Sequence, residues 1–112
     1  LVCTGALILG GAGVLKGLKA TTHWRAMADL ESFGATPTDQ RVVREGKVVT
    51  AAGVSSGIDM ALTLAAEIAG EDVAKAIQLG IEYAPEPPFN AGHIGNAPED
   101  RIEMVRSGLS RP

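Results

Sequence analysis

The chain has 112 residues, of which 46% are hydrophobic and 21% are charged, and its net charge at pH 7 is −3. This composition is typical of one globular domain, and the acidic balance argues against a nucleic-acid surface. The longest apolar stretch, residues 6–15, is too short to span a bilayer, and a single cysteine allows neither an internal disulfide nor a CxxC zinc site. We therefore expect a cytoplasmic protein without a metal and without nucleic acid or a membrane as partner.

The chain opens on Leu1-Val2-Cys3-Thr4-Gly5-Ala6, where an apolar run meets the cysteine and continues in small residues. We interpret this segment as the end of a buried strand that delivers Cys3 to a helix N-terminus, with Gly5 where a sharp turn needs a small side chain. The positive end of a helix and its unpaired N–H groups favour the thiolate form. Alternatively, Cys3 is a small buried hydrophobic residue. Because the chain starts inside this strand without an initiator Met, we expect that an N-terminal part precedes it.

Residues 4–15 carry no charge and are rich in Ala, Leu, Ile and Gly, which predicts a helix buried on most sides. A strand followed by a glycine-rich loop is the alternative. Each of Gly10, Gly11 and Gly13 costs a helix about 1 kcal/mol relative to Ala, so they imply close backbone contact or a frayed last turn. The spacing lacks the third glycine of a dinucleotide-binding fingerprint, which excludes that motif.

Strands and helices alternate along the middle of the chain. The patterns predict a strand over 19–22, a helix over 24–33 that Thr22 or His23 caps, and a β-hairpin of 41–44 with 47–50 around Glu45-Gly46. Two helices follow, over 56–69 and 71–82, with Gly70 as a left-handed cap between them. The positions expected on their buried faces are Ile58, Leu62, Ala65 and Ile68 in the first helix, and Val73, Ala76, Ile77, Gly80 and Ile81 in the second.

This order indicates an α/β protein, and such sheets place their sites at the carboxyl ends of strands. The loops 3–5, 22–24 and 53–55 would then share one edge. There the N–H of Thr4 would face negative charge developing beside the sulfur, and His23 would complete a Cys–His pair if its loop reaches Cys3. Otherwise His23 is a polar surface residue. Asp59, in a first helical turn, is explained by capping.

Residues 84–98 hold four of the six prolines, which predicts an extended arm that wraps the domain or a partner subunit. A short amphipathic helix is expected over 99–105 and a frayed end over 107–112. We therefore divide the chain into 1–83, an α/β part that contains the cysteine elbow, and 84–112, a proline-rich arm with a short terminal helix.

Four segments, in this order and spacing, resemble the ThiJ/PfpI superfamily and within it the isonitrile hydratases. They are Val-Cys-Thr-Gly-Ala at 2–6, Ala-Thr-Thr-His-Trp-Arg at 20–25, Val-Val-Thr-Ala-Ala-Gly-Val-Ser-Ser-Gly-Ile-Asp at 48–59 and Ala-Ile-Gln-Leu-Gly-Ile-Glu-Tyr at 76–83. The resemblance implies a flavodoxin-like, class I glutamine amidotransferase-like sandwich, of which this chain is the C-terminal portion. It also implies a homodimer and a cysteine in strained backbone geometry.

The resemblance further implies a hydro-lyase that needs no cofactor. The thiolate of Cys3 would attack the isonitrile carbon to give a thioimidate, from which water releases an N-substituted formamide. Thr4 would supply a hydrogen bond beside Cys3, and Val54 takes a position whose side chain approaches the cysteine, which makes Val54, with His23, a pocket candidate. The acidic partner of these enzymes lies on the N-terminal half and has no counterpart in this sequence.

Two other functions are compatible with the same residues. The sensor domain of AraC-type transcription regulators carries similar Cys and Thr-Thr-His-Trp-Arg segments, but this acidic chain shows no helix-turn-helix region after them. A redox or stress-response protein would use Cys3 as an oxidisable thiol. Thr4 stands where some members of the superfamily carry a histidine directly after the nucleophile, which argues against peptidase activity.

Overall fold

The computed structural model describes residues 1–108 and alternates short strands with helices. The helices are α1 (Ala6–Gly11), α2 (Met27–Ser32), α3 (Ser56–Ala69), α4 (Glu71–Gly80) and α5 (Glu99–Arg106), and the strands are β1 (Lys19–Ala20), β2 (Thr36–Pro37), β3 (Val42–Glu45) and β4 (Val48–Ala51). Single 3₁₀ turns cover Cys3–Gly5, Trp24–Ala26 and Ile94–Asn96. The α/β order expected from the sequence is confirmed, while most of the expected frayed end at 107–112 lies outside the described residues.

Backbone pairing around β4 positions the start of the chain. β1 pairs with β2 in parallel, β3 pairs with β4 antiparallel, and Val2 forms an isolated parallel bridge with Ala51. The N–H of Ala51 donates to the carbonyl oxygen of Leu1 and the N–H of Cys3 donates to that of Ala52, both at 2.8 Å. The segment before the cysteine therefore pairs in parallel with the end of β4.

The hairpin turns one residue later than the sequence pattern indicated. Glu45 still pairs with Val48, so the two loop residues are Gly46 and Lys47 rather than Glu45 and Gly46. Gly46 has φ of 61°. A type II′ turn requires positive φ at its first loop position, which glycine adopts without a steric penalty. The requirement for glycine at that position therefore determines where the turn falls.

The first helix is shorter and less buried than expected. α1 begins at Ala6 and ends at Gly11, and Gly13, with φ of 78°, lies in the turn beyond it. Only Ala6 and Gly10 are buried, whereas the side chain of Ile8 is 73% exposed. The prediction of a helix over 4–15 buried on most sides was therefore wrong, because the helix contacts its neighbours mainly through its small residues.

Gly10 marks a close approach of α1 to Phe33, the residue that follows α2. A Cβ built on Gly10 would lie 2.5 Å from Cδ2 and 2.6 Å from Cγ of Phe33. We expect Gly10→Ala to lower the free energy of unfolding by about 1–3 kcal/mol, because the ring must move. Gly11→Ala is the matched control, since nothing lies within 4 Å of its Cβ, and we expect a gain of up to about 1 kcal/mol. Denaturant unfolding measures both values, and equal effects would contradict the close approach.

A small core begins at the residue that follows the Cys3–Gly5 turn. Its buried members come from α1, β1, α2 and the loops before β1 and β2: Ala6, Leu15, Ala20, Leu30 and Ala35. Leu7, Leu9, Met27 and Val48 pack against this cluster. Since Ala6 follows the Cys3–Gly5 turn, the core holds one end of that turn in place.

The apolar faces expected on α3 and α4 are largely exposed in the described structure. Ile68 is 85% exposed, Ile77 and Ile81 are also exposed, and the buried residue of α4 is Ala74. Helical periodicity identifies an apolar face but does not provide the element that covers it. Gly70, between the two helices, has φ of 97° with an extended ψ of 158°, so it is not the left-handed cap that the sequence suggested.

The proline-rich segment and the helix after it contact earlier parts of the chain. Apart from the 3₁₀ turn at Ile94–Asn96, residues 84–98 form no helix or strand, and α5 follows. The Nε2 atom of His93 lies 3.2 Å from Oδ1 of Asp39, and the guanidinium of Arg106 lies 5.7 Å from the ring centroid of Trp24. Within residues 1–108, each helix is too short or too polar to cross a lipid bilayer.

Candidate active site

Cys3 has a backbone conformation that a non-glycine residue seldom adopts. Its φ is 55°, in the left-handed region, at the first position of the Cys3–Gly5 turn. Such a conformation costs of order 1–3 kcal/mol and is typical of functional sites. Gly5 allows the turn to close against the chain start, since a Cβ on Gly5 would lie 3.1 Å from Cβ of Leu1. The structure thus has the strained cysteine that the resemblance implied.

Hydrogen bonds join Cys3 to the expected loop at 22–24 and to Ala52, the residue directly before the expected loop at 53–55. The carbonyl oxygen of Cys3 accepts from the N–H of His23 at 3.3 Å and from the hydroxyl of Thr22, while the N–H of Cys3 donates to the carbonyl oxygen of Ala52. The structure therefore brings together the start of the chain, the loop before α2 and the end of β4. The order of strands and helices along the chain was enough to predict that these segments lie close together.

Thr22, His23 and Ala52, the residues that hydrogen-bond to the Cys3 backbone, all line a cleft of about 540 Å³. Its lining comes from the segment that leads into α2, the loop before β3, the segment from β4 into α3 and part of the arm: Thr21, Thr22, His23, Trp24, Met27, Asp39, Gln40, Arg41, Ala52, Gly53, Ser55, Ser56, Gly92, His93 and Ile94. Of the site residues expected from the sequence, His23 lines the cleft. Cys3, Thr4, Gly5 and Val54 lie outside this lining, and the Val54 side chain is 80% exposed.

His23 caps the helical segment that follows it. Its Nδ1 atom accepts a hydrogen bond from the backbone N–H of Arg25 at 3.2 Å, and its ring stacks on that of Trp24 with centroids 5.5 Å apart. This confirms one of the two caps considered for this helix. Burial and, to a smaller extent, the positive charge of Arg25 lower the pKa of His23 from its ordinary value of 6.5. Both effects favour the neutral imidazole.

Asp59 has a different role from the capping that its position suggested. Its Oδ2 accepts from Nε of Arg41 and its Oδ1 accepts from the hydroxyl of Tyr83, each at 2.6 Å, and the N-terminus of α3 has no side-chain cap. Arg41 lines the cleft, and its Nη2 lies 3.4 Å from Oγ of Ser55. This cluster ties the loop before β3 to α3 and to Tyr83, the residue directly before the arm. Separations of 18 and 24 residues carry no periodic signal that could have revealed it.

The cluster of Asp59, Arg41 and Tyr83 predicts how the free energy of unfolding depends on pH. Burial alone would raise the pKa of Asp59, but hydrogen bonds from Tyr83 and Arg41, with the charge of Arg41, outweigh burial and lower it. A carboxyl group with a lowered folded pKa contributes stability above its unfolded pKa of about 4, and this contribution disappears as pH falls through the folded value. We expect Asp59→Asn to flatten the fall in unfolding free energy below pH 4, measured by denaturant titration at several pH values.

Tyr83→Phe is the graded control for this experiment, because it removes one donor and keeps the carboxylate. It should reduce the acid dependence less than Asp59→Asn does. An Asp59→Asn variant with the acid dependence of the wild type would contradict the proposed role of the cluster. Among residues 1–108, no group of three His, Cys, Asp or Glu side chains is arranged to hold a metal ion.

Comparison with known proteins gives the same family on sequence and on structure. The DJ-1/PfpI family model matches residues 1–67. The chain is 50% identical over 105 residues to the isonitrile hydratase of Pseudomonas putida, a match that covers 94% of this chain and 46% of that protein. It is 37% identical over 73 residues to the HTH-type transcriptional regulator CdhR of Pseudomonas aeruginosa, covering 63% of this chain and 22% of the regulator.

The crystal structure of a ThiJ/PfpI family protein from Pseudomonas syringae superposes with a TM-score of 0.88 at 48% identity, covering 95% of this chain and 44% of that one. The chain thus spans less than half the length of each of these relatives. The strained cysteine, the meeting of its three loops and the family match over residues 1–67 agree with one another. The chain belongs to the DJ-1/PfpI family and forms part of its flavodoxin-like, class I glutamine amidotransferase-like α/β fold.

Proposed function

We propose that this protein is a hydro-lyase that hydrates isonitriles to N-substituted formamides, with Cys3 as the nucleophile. The observation that carries the proposal is the left-handed Cys3, whose backbone partners line a cleft, in a chain 50% identical to an isonitrile hydratase over 94% of its length. Thr22, His23 and Ala52 hydrogen-bond to the Cys3 backbone and also line the cleft. A ligand held in the cleft would therefore contact residues that hydrogen-bond directly to the Cys3 backbone.

The proposed reaction needs only the substrate, water and the thiol. The sulfur of Cys3 bonds to the terminal isonitrile carbon and the thiol proton ends on that carbon, which gives a thioimidate, R–N=CH–S–Cys3. Water then adds across the C=N bond, with oxygen bonding to carbon and a proton to nitrogen. Finally the C–S bond breaks, the hydroxyl proton returns to sulfur, and R–NH–CHO leaves. Cys3 is regenerated, and no electron is gained or lost.

Thr4 and Gly5 support this chemistry from the turn itself. Thr4 follows Cys3 directly and is exposed, so its hydroxyl is available to a substrate or to the attacking water. Gly5 permits the tight turn beside Leu1. In this proposal Thr4 supplies a hydrogen bond beside the sulfur and Gly5 maintains the elbow.

The test is turnover of a simple aromatic isonitrile by the intact protein. Loss of the isonitrile stretch in the infrared spectrum should match the appearance of the N-aryl formamide by chromatography, with repeated turnovers for each thiol. One equivalent of bound adduct without release of formamide, or no reaction at all, would contradict the proposed function.

A ligand sensor of a transcription regulator is the second candidate, because 63% of this chain is similar to the regulator CdhR. A sensor would bind a small molecule in the cleft without converting it. In the same assay it would give ligand-dependent thermal stabilisation and no formamide, whereas a hydratase gives formamide. Measuring formamide production therefore distinguishes the two candidate functions.

The proposal includes a homodimer. Val54 follows the cleft residue Gly53 and precedes the cleft residue Ser55, yet its apolar side chain points away and is 80% exposed. A partner subunit that covers Val54 would remove this apolar surface from water and would also border the cleft.

A further inference from the structure

The hydrogen bonds of His23 determine which ring nitrogen carries the proton. A backbone N–H can only donate, so the N–H of Arg25 at 3.2 Å requires a lone pair on Nδ1 of His23. In a neutral imidazole the proton then lies on Nε2. The lowered pKa of His23 agrees with a neutral ring. The heavy-atom geometry thus assigns the Nε2–H tautomer.

Because Nδ1 is engaged by the cap, the Nε2–Cδ2 edge of the His23 ring is the edge left for the cleft that His23 lines. Cδ2, the carbon bonded to Nε2, lies 3.7 Å from a Cβ built on Gly53, which also lines the cleft. Stacking on Trp24, whose ring also lies near Arg106, restricts rotation of the imidazole. Within residues 1–108, no atom accepts a hydrogen bond from Nε2 of His23.

The second histidine of the cleft, His93, has a hydrogen-bond partner at each of its ring nitrogens. Nδ1 of His93 accepts from the N–H of Gly95 at 2.9 Å, which again places the proton on Nε2. That N–H points to Oδ1 of Asp39 at 3.2 Å. Both cleft histidines thus have the same tautomer, but the N–H of His93 is used by a carboxylate while that of His23 is available to a ligand.

We propose that the Nε2–H of His23 donates a hydrogen bond to the substrate in the cleft, so that His23 is a substrate-binding donor and not the base of a Cys–His pair. A base would need a lone pair on the cleft side, and that position holds a proton. The ligand class is a small neutral molecule with a lone-pair acceptor. In the reaction proposed above, on which this inference rests for the substrate's identity, the isonitrile carbon, the thioimidate nitrogen and the formamide oxygen each carry such a lone pair.

The tautomer can be measured without any turnover. In a long-range ¹H–¹⁵N spectrum of the intact protein at pH 7, the two ring nitrogens of His23 should give the pattern of a neutral Nε2–H imidazole, assigned by its loss in His23→Gln. Addition of N-phenylformamide should shift the Nε2 resonance more than the Nδ1 resonance. A Nδ1–H tautomer, a doubly protonated ring at pH 7, or no response of Nε2 to the formamide at saturation would overturn the proposal.

Two substitutions separate the donor from the cap. His23→Asn places an amide oxygen where Nδ1 now caps the N–H of Arg25, but its side chain is too short to bring a donor to the Nε2 position. His23→Gln places an amide N–H near the Nε2 position and weakens the cap. We expect kcat/KM for the aromatic isonitrile to fall about tenfold in His23→Asn and less than about threefold in His23→Gln, since a neutral hydrogen bond is worth about this much.

Thermal stability should follow the opposite order, with His23→Asn above His23→Gln. A purely structural histidine would make activity follow stability, and a general base would give losses of about a hundredfold or more in both variants. Either result would overturn the proposal. If the wild type hydrates no isonitrile, the proposed function fails on that assay, while the NMR measurement still decides the role of His23.

Discussion

Replacing Cys3 with alanine is expected to abolish isonitrile hydration, lowering kcat by about a thousandfold or more. The reaction passes through a bond to sulfur, and loss of a nucleophile that acts within a covalent mechanism removes most of the rate enhancement. The fold should persist, because the Cys3 contacts to His23, Thr22 and Ala52 all use its backbone N–H and carbonyl groups. Formamide production and circular dichroism of the same sample test both statements.

Cys3→Gly is a second inactive variant that tests the backbone strain. Glycine adopts φ of 55° without the contact between Cβ and the carbonyl oxygen, so we expect Cys3→Gly to be more stable than Cys3→Ala by about 1 kcal/mol. A more stable Cys3→Gly would show that a side chain at this position, needed for its thiol, lowers the stability of the fold. Activity of Cys3→Ala above a tenth of the wild-type value would refute the covalent mechanism, and a less stable Cys3→Gly would refute the strain.

Local patterns predicted the elements that depend on neighbouring residues. The Cys3–Gly5 turn, the cap by His23 and the hairpin all follow from short spacings, and even the error of one residue at Gly46 follows from the positive φ required in the turn. The meeting of three loops could be predicted as well, because strand order in an α/β protein places them at one edge.

Contacts between distant segments could not be predicted in this way. The pairing of Asp59 with Arg41 and Tyr83 depends on how the loop before β3 and the segment after α4 pack against α3, which no spacing encodes. The roles of His23 and His93 depend on which ring atom meets a backbone N–H, an atomic detail beyond any residue pattern. Residue type therefore identified the candidates, and tertiary geometry decided their chemistry.

Truncation of a leucine in the small core next to the elbow gives a second large expected effect. Leu30 of α2 is fully buried in the cluster with Ala6 and Leu15, and Ala6 directly follows the Cys3–Gly5 turn. We expect Leu30→Ala to lower the free energy of unfolding by about 2–5 kcal/mol, because it removes buried apolar contacts and leaves a cavity. That is a large share of the stability of a small domain. Denaturant unfolding monitored by circular dichroism measures the change.

Leu79→Ala is the matched control, since it deletes the same atoms from a leucine that is 80% exposed on α4, and its effect should stay within about 0.5 kcal/mol. Below its unfolding transition, Leu30→Ala should keep Cys3 reactive, and it should lose formamide production at a lower temperature than the wild type does, together with its circular dichroism signal. Equal destabilisation by the two leucine variants would show that the core beside the elbow is not where stability resides. Loss of activity well below the unfolding temperature would instead show that packing at Leu30 sets the geometry of Cys3 directly.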